Sequence, residues 1–539
     1  MRFDPLCGKV FPMKICNEYR FRRVLSPAGE LTGRFLTGKS HSFPRLVVLL
    51  LLCLWGGTSA AADQPVRPNI LWLSCEDISP HLGCYGDKQA ITPHLDRLAT
   101  EGVRYSHAFT TAGVCAPCRS GIITGMYQTT LGTHHMRTVA QLPEKIRPFS
   151  VYLREAGYYC TNNSKQDYQF RTPKGTWDDS SGKAHWRNRP DASKPFFAVF
   201  NFTGCHESGI ASASKYRSVT RNLKPEQRQD PAKLKLPPYY PDTPVVREDW
   251  KRNYELITAM DAWAGDLLAQ LEEDGLAENT IVFYWSDHGV GLPRAKRWLY
   301  DSGTHIPLIV RIPEQLRTDG QGQPGTVSDR LVSSIDFGPT VLHLAGISLP
   351  EHLQGQPFLG SGLPQPREYV FGARDRMDER YDIIRMVRDH RFKYLRNYEP
   401  LKTWYQFMNT AEKGATMHEL RRLHEAGQLP EAAEQYFRPE KPVEELYDTN
   451  ADPHELHNLA DDPQYADVLE RLRKAHLDWV RETRDLGLLP EPILAAREKQ
   501  QGARYFLLRG ENSGLAARVA GTAVLASQGV SVLAELTEA

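Results

Sequence analysis

The strongest constraint on the fold is a set of short runs with no polar face. Residues 69–75 read NILWLSC, 195–202 read PFFAVFNF, 280–285 read TIVFYW and 306–312 read IPLIVRI. A strand with one wet face alternates apolar and polar residues. A run that is apolar at nearly every position is buried on both sides, as in a sheet covered by helices. Helical signals lie between these runs. Thr92 and Pro93 open a helix through 98, and 150–156 reads as a short helix followed by a short strand at 158–161. Ile257, Ala264, Leu267, Leu268 and Leu271 fall at helical spacing within 250–271. The alternation predicts an α/β domain over about 66–355, with a large mixed, mostly parallel sheet and helices on both faces.

The 539 residues exceed one ordinary core and imply more than one domain. A Pro/Gly-rich stretch at 350–366 marks the expected boundary. Beyond it, over 367–490, shorter strands (369–371, 383–387, 392–395) precede charged helices, which reads as a smaller α+β domain. The tail, 491–539, is Ala- and Leu-rich and helical in pattern. Residues 1–62 are set apart from the fold. Arg45, the apolar run 46–55 and the small residues 56–62 have the order of a secretory signal. The run is short for a membrane span, so no permanent span is expected, with a membrane anchor as the competing reading. A signal implies a secreted or periplasmic protein. The formal net charge of +1 gives no reason to expect a nucleic-acid partner.

Of nine cysteines, three lie in 1–62. The other six are too sparse for a disulfide scaffold, and none has zinc-site spacing. Cys115 and Cys118 form a C-x-x-C, but no thioredoxin-like pattern surrounds it. Chemistry in α/β sheets gathers where strands end. One run ends in Cys75-Glu76-Asp77, another in Ser286-Asp287-His288-Gly289, and a third leads into Gly204-Cys205-His206-Glu207. Glu76, Asp77, Asp287 and His288 are thus candidate ligands for a hard cation, Ca²⁺ or Mg²⁺. Each pair by itself is also what a helix cap looks like.

The most specific segment is Cys115-Ala116-Pro117-Cys118-Arg119-Ser120-Gly121-Ile122-Ile123-Thr124-Gly125. It resembles the signature of the sulfatase family, C-x-P-S-R followed by a short apolar helix ending in T-G, with Cys118 at the usual Ser position. Arg67-Pro68-Asn69-Ile70-Leu71 is similar to the family's first strand. The resemblance runs from Arg67 to about Pro490 and leans toward the heparan N-sulfatase (N-sulfoglucosamine sulfohydrolase) branch and its bacterial relatives. It implies an alkaline-phosphatase-like fold and oxidation of Cys115 to formylglycine by a maturation enzyme. The hydrated aldehyde then attacks sulfur with one hydroxyl and expels sulfate with the other. The metal set it implies is Glu76, Asp77, Asp287 and His288, with the modified Cys115. Glu76 stands where Asp is usual.

The same resemblance gives Arg119 and Lys165 the task of holding formylglycine and sulfate. Asp167 replaces the family's histidine two residues after the lysine. His206 falls at the sulfate or its leaving group, and Lys296 matches the lysine of a K-x-x-x-Y-E run. Candidate substrate contacts are His135, Asp167, Arg374 and Arg376. Arginines at the pocket mouth would suit a polysulfated or uronate-bearing glycan. The implied partner is a sulfated carbohydrate, with a sulfated glucosamine of a heparin-type glycan as the expected substrate. A lysosomal location applies only to an animal source. Two competitors remain: a phosphate or phosphonate ester hydrolase on the same fold, and an inactive glycan-binding relative.

Overall fold

The computed structural model describes residues 67–318, 320–510 and 513–528, so the 1–62 segment and the end of the tail lie outside the described residues. Residues 65–539 form one compact unit. The first nine strands are β1 (Asn69–Cys75), β2 (Val103–Tyr105), β3 (Ala108–Phe109), β4 (Tyr159–Asn163), β5 (Asp179–Ser180), β6 (Phe196–Phe202), β7 (Thr280–Ser286), β8 (Leu308–Arg311) and β9 (Thr326–Ser328). Eight of them make one sheet in the order β5-β4-β6-β1-β7-β8-β2-β9. From β5 to β7 every neighbour is parallel. β8 runs antiparallel to both β7 and β2.

The apolar runs are buried on both faces, as expected. In β1, Leu71, Leu73 and Cys75 point into one core while Ile70 and Trp72 point into the other. β7 divides the same way, Val282 and Tyr284 against Ile281, Phe283 and Trp285. Helices Pro93–Glu101 and Pro244–Glu273 cover the first face. Helices Phe149–Glu155 and Phe337–Leu344, with Ile122 and Ile123, cover the second. Each fully buried Leu, Ile or Phe contributes about 1.5–3 kcal/mol, so this double burial fixes the central strands rigidly. Rigid strands in turn fix the residues at their ends.

A short strand β10 (Val332–Ser333) pairs with β3. After the Pro/Gly-rich stretch comes a separate antiparallel sheet of β11 (Val370–Arg374), β12 (Ile384–Arg388), β13 (Phe392–Asn397) and β14 (Glu444–Asp448). Its last strand has no counterpart in the sequence reading. The described part of the tail holds helices Glu491–Gln501 and Ser513–Ser527. Leu494 and Leu507 pack with Leu486. Among the described residues, no helix is long and apolar enough to cross a membrane.

Candidate active site

Strands β4, β6, β1 and β7 are consecutive and parallel, so their C-terminal ends lie side by side. Cys75 is level with Phe202 on one side and Ser286 on the other. Glu76 and Asp77 follow β1, Asp287 and His288 follow β7, Lys165 follows β4 and His206 follows β6. Asp77 takes the left-handed region (φ 54°), which turns its carboxylate back over the sheet at a cost of roughly 1–2 kcal/mol. One oxygen of Asp77 is saturated: Oδ2 accepts from Lys296 Nζ and from the Glu207 backbone N–H, each at 2.7 Å. Gly291 lies close behind, and a Cβ there would sit 2.6 Å from this oxygen.

The other oxygen points into an acidic cluster. Asp77 Oδ1 and His288 Nε2 face each other at 3.2 Å, and neither completes a hydrogen bond among the described residues. His288 Nδ1 lies 3.0 Å from the Gly289 carbonyl, which can only accept, so Nδ1 carries a proton. The Nε2 lone pair of a neutral imidazole would then face two carboxylates. Burial opposes charging of this ring, but Asp287 and Asp77 outweigh it and raise its pKa to about 10. The arrangement calls for a cation at this spot. Asp77, Asp287 and His288 can converge on one ion, as can Glu76, Asp77 and His206. The donors are mostly carboxylate oxygens, which suits a hard divalent ion.

Cys115 opens the helix Cys115–Thr124, and no side chain caps that end. Its first-turn N–H groups are therefore free to face an anion. The thiol is almost fully enclosed by Val114, Ala116, Met136, Met377 and Met408, and it interacts with His288 and Asp167. One turn on, Arg119 donates to Asp287 Oδ2 and Asn201 Oδ1, both at 2.9 Å. Lys165 pairs with Glu76 and with Asp167 at 3.4 Å, and its charge is felt at Cys115. Burial works against the Lys165 charge, yet Cys115 and the acids hold its pKa above the ordinary lysine value. Cys118 is a free, buried thiol that donates to the Cys115 carbonyl, and burial pushes its pKa well up. The two cysteines are not bridged.

His206 caps the helix Glu207–Ala211. Its Nδ1 accepts from the Ser208 N–H at 3.2 Å, so in the neutral ring the proton sits on Nε2. Burial and then Lys296 lower its pKa. A cavity of about 430 Å³ opens beside it, lined by Lys296 and Trp298 on one side and by Met408, Ala411 and Met417 on the other.

A family model described as Sulfatase matches residues 68–191 and 161–347, and one described as N-sulphoglucosamine sulphohydrolase, C-terminal, matches 294–435. The chain belongs to the sulfatase family. An ulvan-active sulfatase of Formosa agariphila is 43% identical over 477 residues, covering 81% of this chain and 79% of the relative. Human N-sulphoglucosamine sulphohydrolase is 28% identical over 471 residues, covering 78% and 91%. A solved structure of a protein in complex with its substrate D-glucosamine-2-N,6-O-disulfate matches with TM-score 0.55 at 18% identity, covering 78% of this chain and 98% of that one. At that identity the likeness shows the fold alone.

The structure of this sulfatase brings together Glu76, Asp77, Cys115, Arg119, Lys165, Asp167, His206, Asp287, His288 and Lys296. The remaining substrate candidates are buried or engaged by other side chains. Arg374 is fully buried, pairs with Asp382 at 3.0 Å and lies 3.9 Å over the Trp298 ring. It braces the packing beneath the cavity and cannot meet a sugar. Arg376 is engaged by Glu491 from the tail helix. His135 is also fully buried, and burial drives its pKa down to about 3, so it is a neutral packed ring and not a surface contact.

Three site residues escaped the sequence reading. Glu207 joins Lys296 at 3.4 Å to Arg297, which grips it through two nitrogens at 2.8 and 2.9 Å. Asn201 holds Arg119 and donates to Asn162. Glu207 directly follows His206 after β6, and the charged run 294–297 is its only other local signal.

Proposed function

We propose that this sulfatase hydrolyses a sulfate ester or sulfamate on a sulfated polysaccharide, with Cys115 matured to formylglycine and one Ca²⁺ or Mg²⁺ bound. The convergence of Cys115, Lys165, His206 and Lys296 on one cluster of strand-end carboxylates carries this reading. Glu76, Asp77, Asp287 and His288 would hold the ion. When bound, the ion supplies charge neutralisation and Lewis acidity at a sulfate oxygen. Oxidation of Cys115 replaces a thiol by an aldehyde whose hydrate is an oxygen nucleophile.

The chain's own residues then have separate tasks. The uncapped N–H groups at the Cys115 helix and the Lys165 ammonium bind the sulfate oxygens. Arg119 is fixed by Asp287 and Asn201, so it presents its charge without reorganising. Lys296 holds Asp77 in place as well as standing at the cavity wall. The His206 Nε2–H is the proton donor placed at the mouth, where the departing sugar oxygen or nitrogen needs one. The cavity beside it accepts the sugar that carries the sulfate.

The expectation of a heparin-type glucosamine leaned on the resemblance to the heparan N-sulfatase branch and on two arginines. With Arg374 buried and Arg376 paired, only the resemblance supports glucosamine, and the sulfated-glycan class is the firmer reading. The ulvan-active relative puts ulvan first among glycans to try. Mass spectrometry of the 105–119 tryptic peptide from active protein should show formylglycine at position 115 and a thiol at 118. Sulfate release should be seen from ulvan oligosaccharides or heparin disaccharides. Faster turnover of phosphodiesters than of every sulfated glycan, or a persistent Cys115 thiol in active protein, would overturn this reading.

A further inference from the structure

Beyond the catalytic cluster, the C-terminal domain carries a second concavity of about 810 Å³. Its walls are aromatic and basic: Tyr381, Tyr405, Phe407 and Phe437, with Arg380, Lys402 and Arg421. Phe407 is 43% exposed and shares the wall with Tyr381, Tyr405 and Phe437, so the apolar surface is clustered and not single. Arg380 lies over the Phe407 ring at 6.0 Å and forms no salt bridge among the described residues. Lys402 sits 4.8 Å over the Tyr381 ring. His424, also in the wall, stacks on Phe437 at 4.4 Å.

This groove shares its wall with the catalytic cavity. Three segments each place one residue inside and a near neighbour outside. Met377 touches the Cys115 enclosure while Glu379 and Arg380 line the groove. Met408 reaches both the enclosure and the cavity, and Phe407 is in the groove. Tyr436 lines the cavity, and Phe437 the groove. The same three segments therefore form the partition between the groove and the cavity.

We propose that the groove is a distal subsite for the polysaccharide chain beyond the sulfated residue being cleaved, taking an anionic glycan. This rests on the sulfated-polysaccharide reading above. Flat aromatic faces match the apolar face of a pyranose ring. Arginine forks match carboxylate or sulfate substituents through paired hydrogen bonds. Lys402 pairs with Glu399 at 3.3 Å and Arg421 with Glu412 at 2.9 Å, and Glu379 and Glu425 also line the groove, so Arg380 is the wall's one cation without a salt bridge among the described residues, suited to a sparsely charged chain. Arg380 and Phe407 here take the role that the sequence assigned to Arg374 and Arg376.

The test is affinity electrophoresis of the full mature protein in native gels containing ulvan or heparin. Wild type, the double variant Arg380→Ala/Phe407→Ala and Cys115→Ala are run side by side. Both groove positions are exposed, and turnover of a small sulfated monosaccharide by the double variant reports on its folding and should match wild type. We expect retardation of wild type and of Cys115→Ala by at least one polymer, and an apparent dissociation constant about tenfold or more weaker in the double variant. No retardation of wild type in either polymer, or equal retardation of the double variant, overturns the subsite. Those results leave the hydrolytic reading standing, because sulfate release and the mass of peptide 105–119 judge it separately. A groove kept for a protein partner would show as the same failure to bind either polymer.

Discussion

Replacing Lys296 with Met removes a cation that is almost wholly buried between Asp77 at 2.7 Å and Glu207 at 3.4 Å. Glu207 keeps the two-pronged contact of Arg297, so the uncompensated charge falls mainly on Asp77. Stranding one member of a buried pair costs about 3–5 kcal/mol. Asp77 retains the Glu207 N–H, which puts the expectation at the lower end, about 3 kcal/mol, for protein stripped of metal with EDTA. Urea unfolding at pH 7 measures it. Adding Asp77→Asn to the Lys296→Met background should then cost less than Asp77→Asn alone, by about 1–3 kcal/mol, because the charge it removes is already unpaired. Ca²⁺ at about 100 times its dissociation constant should return about 2.7 kcal/mol to the single variant, since the ion restores positive charge beside Asp77. Unchanged stability of Lys296→Met in EDTA, or additive behaviour of the two substitutions, would refute the account of Lys296 as the counter-charge of Asp77.

Asp287→Ala should abolish stoichiometric Ca²⁺ or Mg²⁺ by elemental analysis and lower turnover by roughly 3 kcal/mol or more in barrier, with stoichiometric zinc in wild type as the contrary result. Stripping the metal should also weaken competitive inhibition by inorganic sulfate, measured by displacement calorimetry; unchanged sulfate affinity would show that the ion does not meet the anion. Arg374→Ala should cost roughly 1–3 kcal/mol of stability, through lost packing over Trp298 and one lost ion pair, because Asp382 keeps Lys441 at 3.1 Å; kcat/KM per folded molecule should stay near wild type. Burial holds His135, His305 and His476 at about 3, 4 and 3, below the ordinary 6.5. The unfolded chain therefore takes up these protons first, and stability falls as pH drops below about 6.5, by up to roughly 1.4 kcal/mol per pH unit for each ring. Urea melts from pH 7 to 5 should show this slope, and His476→Gln should flatten it.

The sequence made the sheet readable where burial is symmetric. NILWLSC and TIVFYWS can only be strands covered on both faces, and their last residues hand over to acids at one sheet edge. The direction of β8 was not readable, because an apolar run looks the same read either way. β14 (EELYD) was missed because two acids open it; Glu445 is buried there among Tyr300, Tyr447 and Asn397, each of which donates to it. The substrate arginines failed for a related reason. Arg-Asp-Arg at 374–376 looks like a surface cluster until Asp382, Trp298 and Glu491 arrive from elsewhere in the chain and consume its charges. Lys165 became a site residue only through family resemblance, since nothing in Asn163-Ser164-Lys165-Gln166 announces Glu76 as its partner. Local patterns disclose strands and their ends; they do not disclose which charges cancel.

That cancellation bears on the metal. The cleft gathers the carboxylates of Glu76, Asp77, Asp167, Glu207 and Asp287 against the permanent cations Arg119, Lys165, Lys296 and Arg297. Five negative charges against these four, with the proton that His288 holds as a fifth positive charge, leave the cleft close to neutral without a metal. Arg137 reaches Asp167 only from an exposed position, where solvent screens it. A near-neutral site gives an anion little attraction, and the N–H groups of the Cys115 helix add only about half a charge. A divalent ion between Asp77, Asp287 and His288 turns the balance positive and replaces the proton that His288 otherwise holds. On the proposed function, the acids would select the metal, and the metal would make an acidic strand edge a site for sulfate. The lysines and arginines are already committed to those acids, so their first role is to keep the ligands in place, and their contact with substrate builds on it.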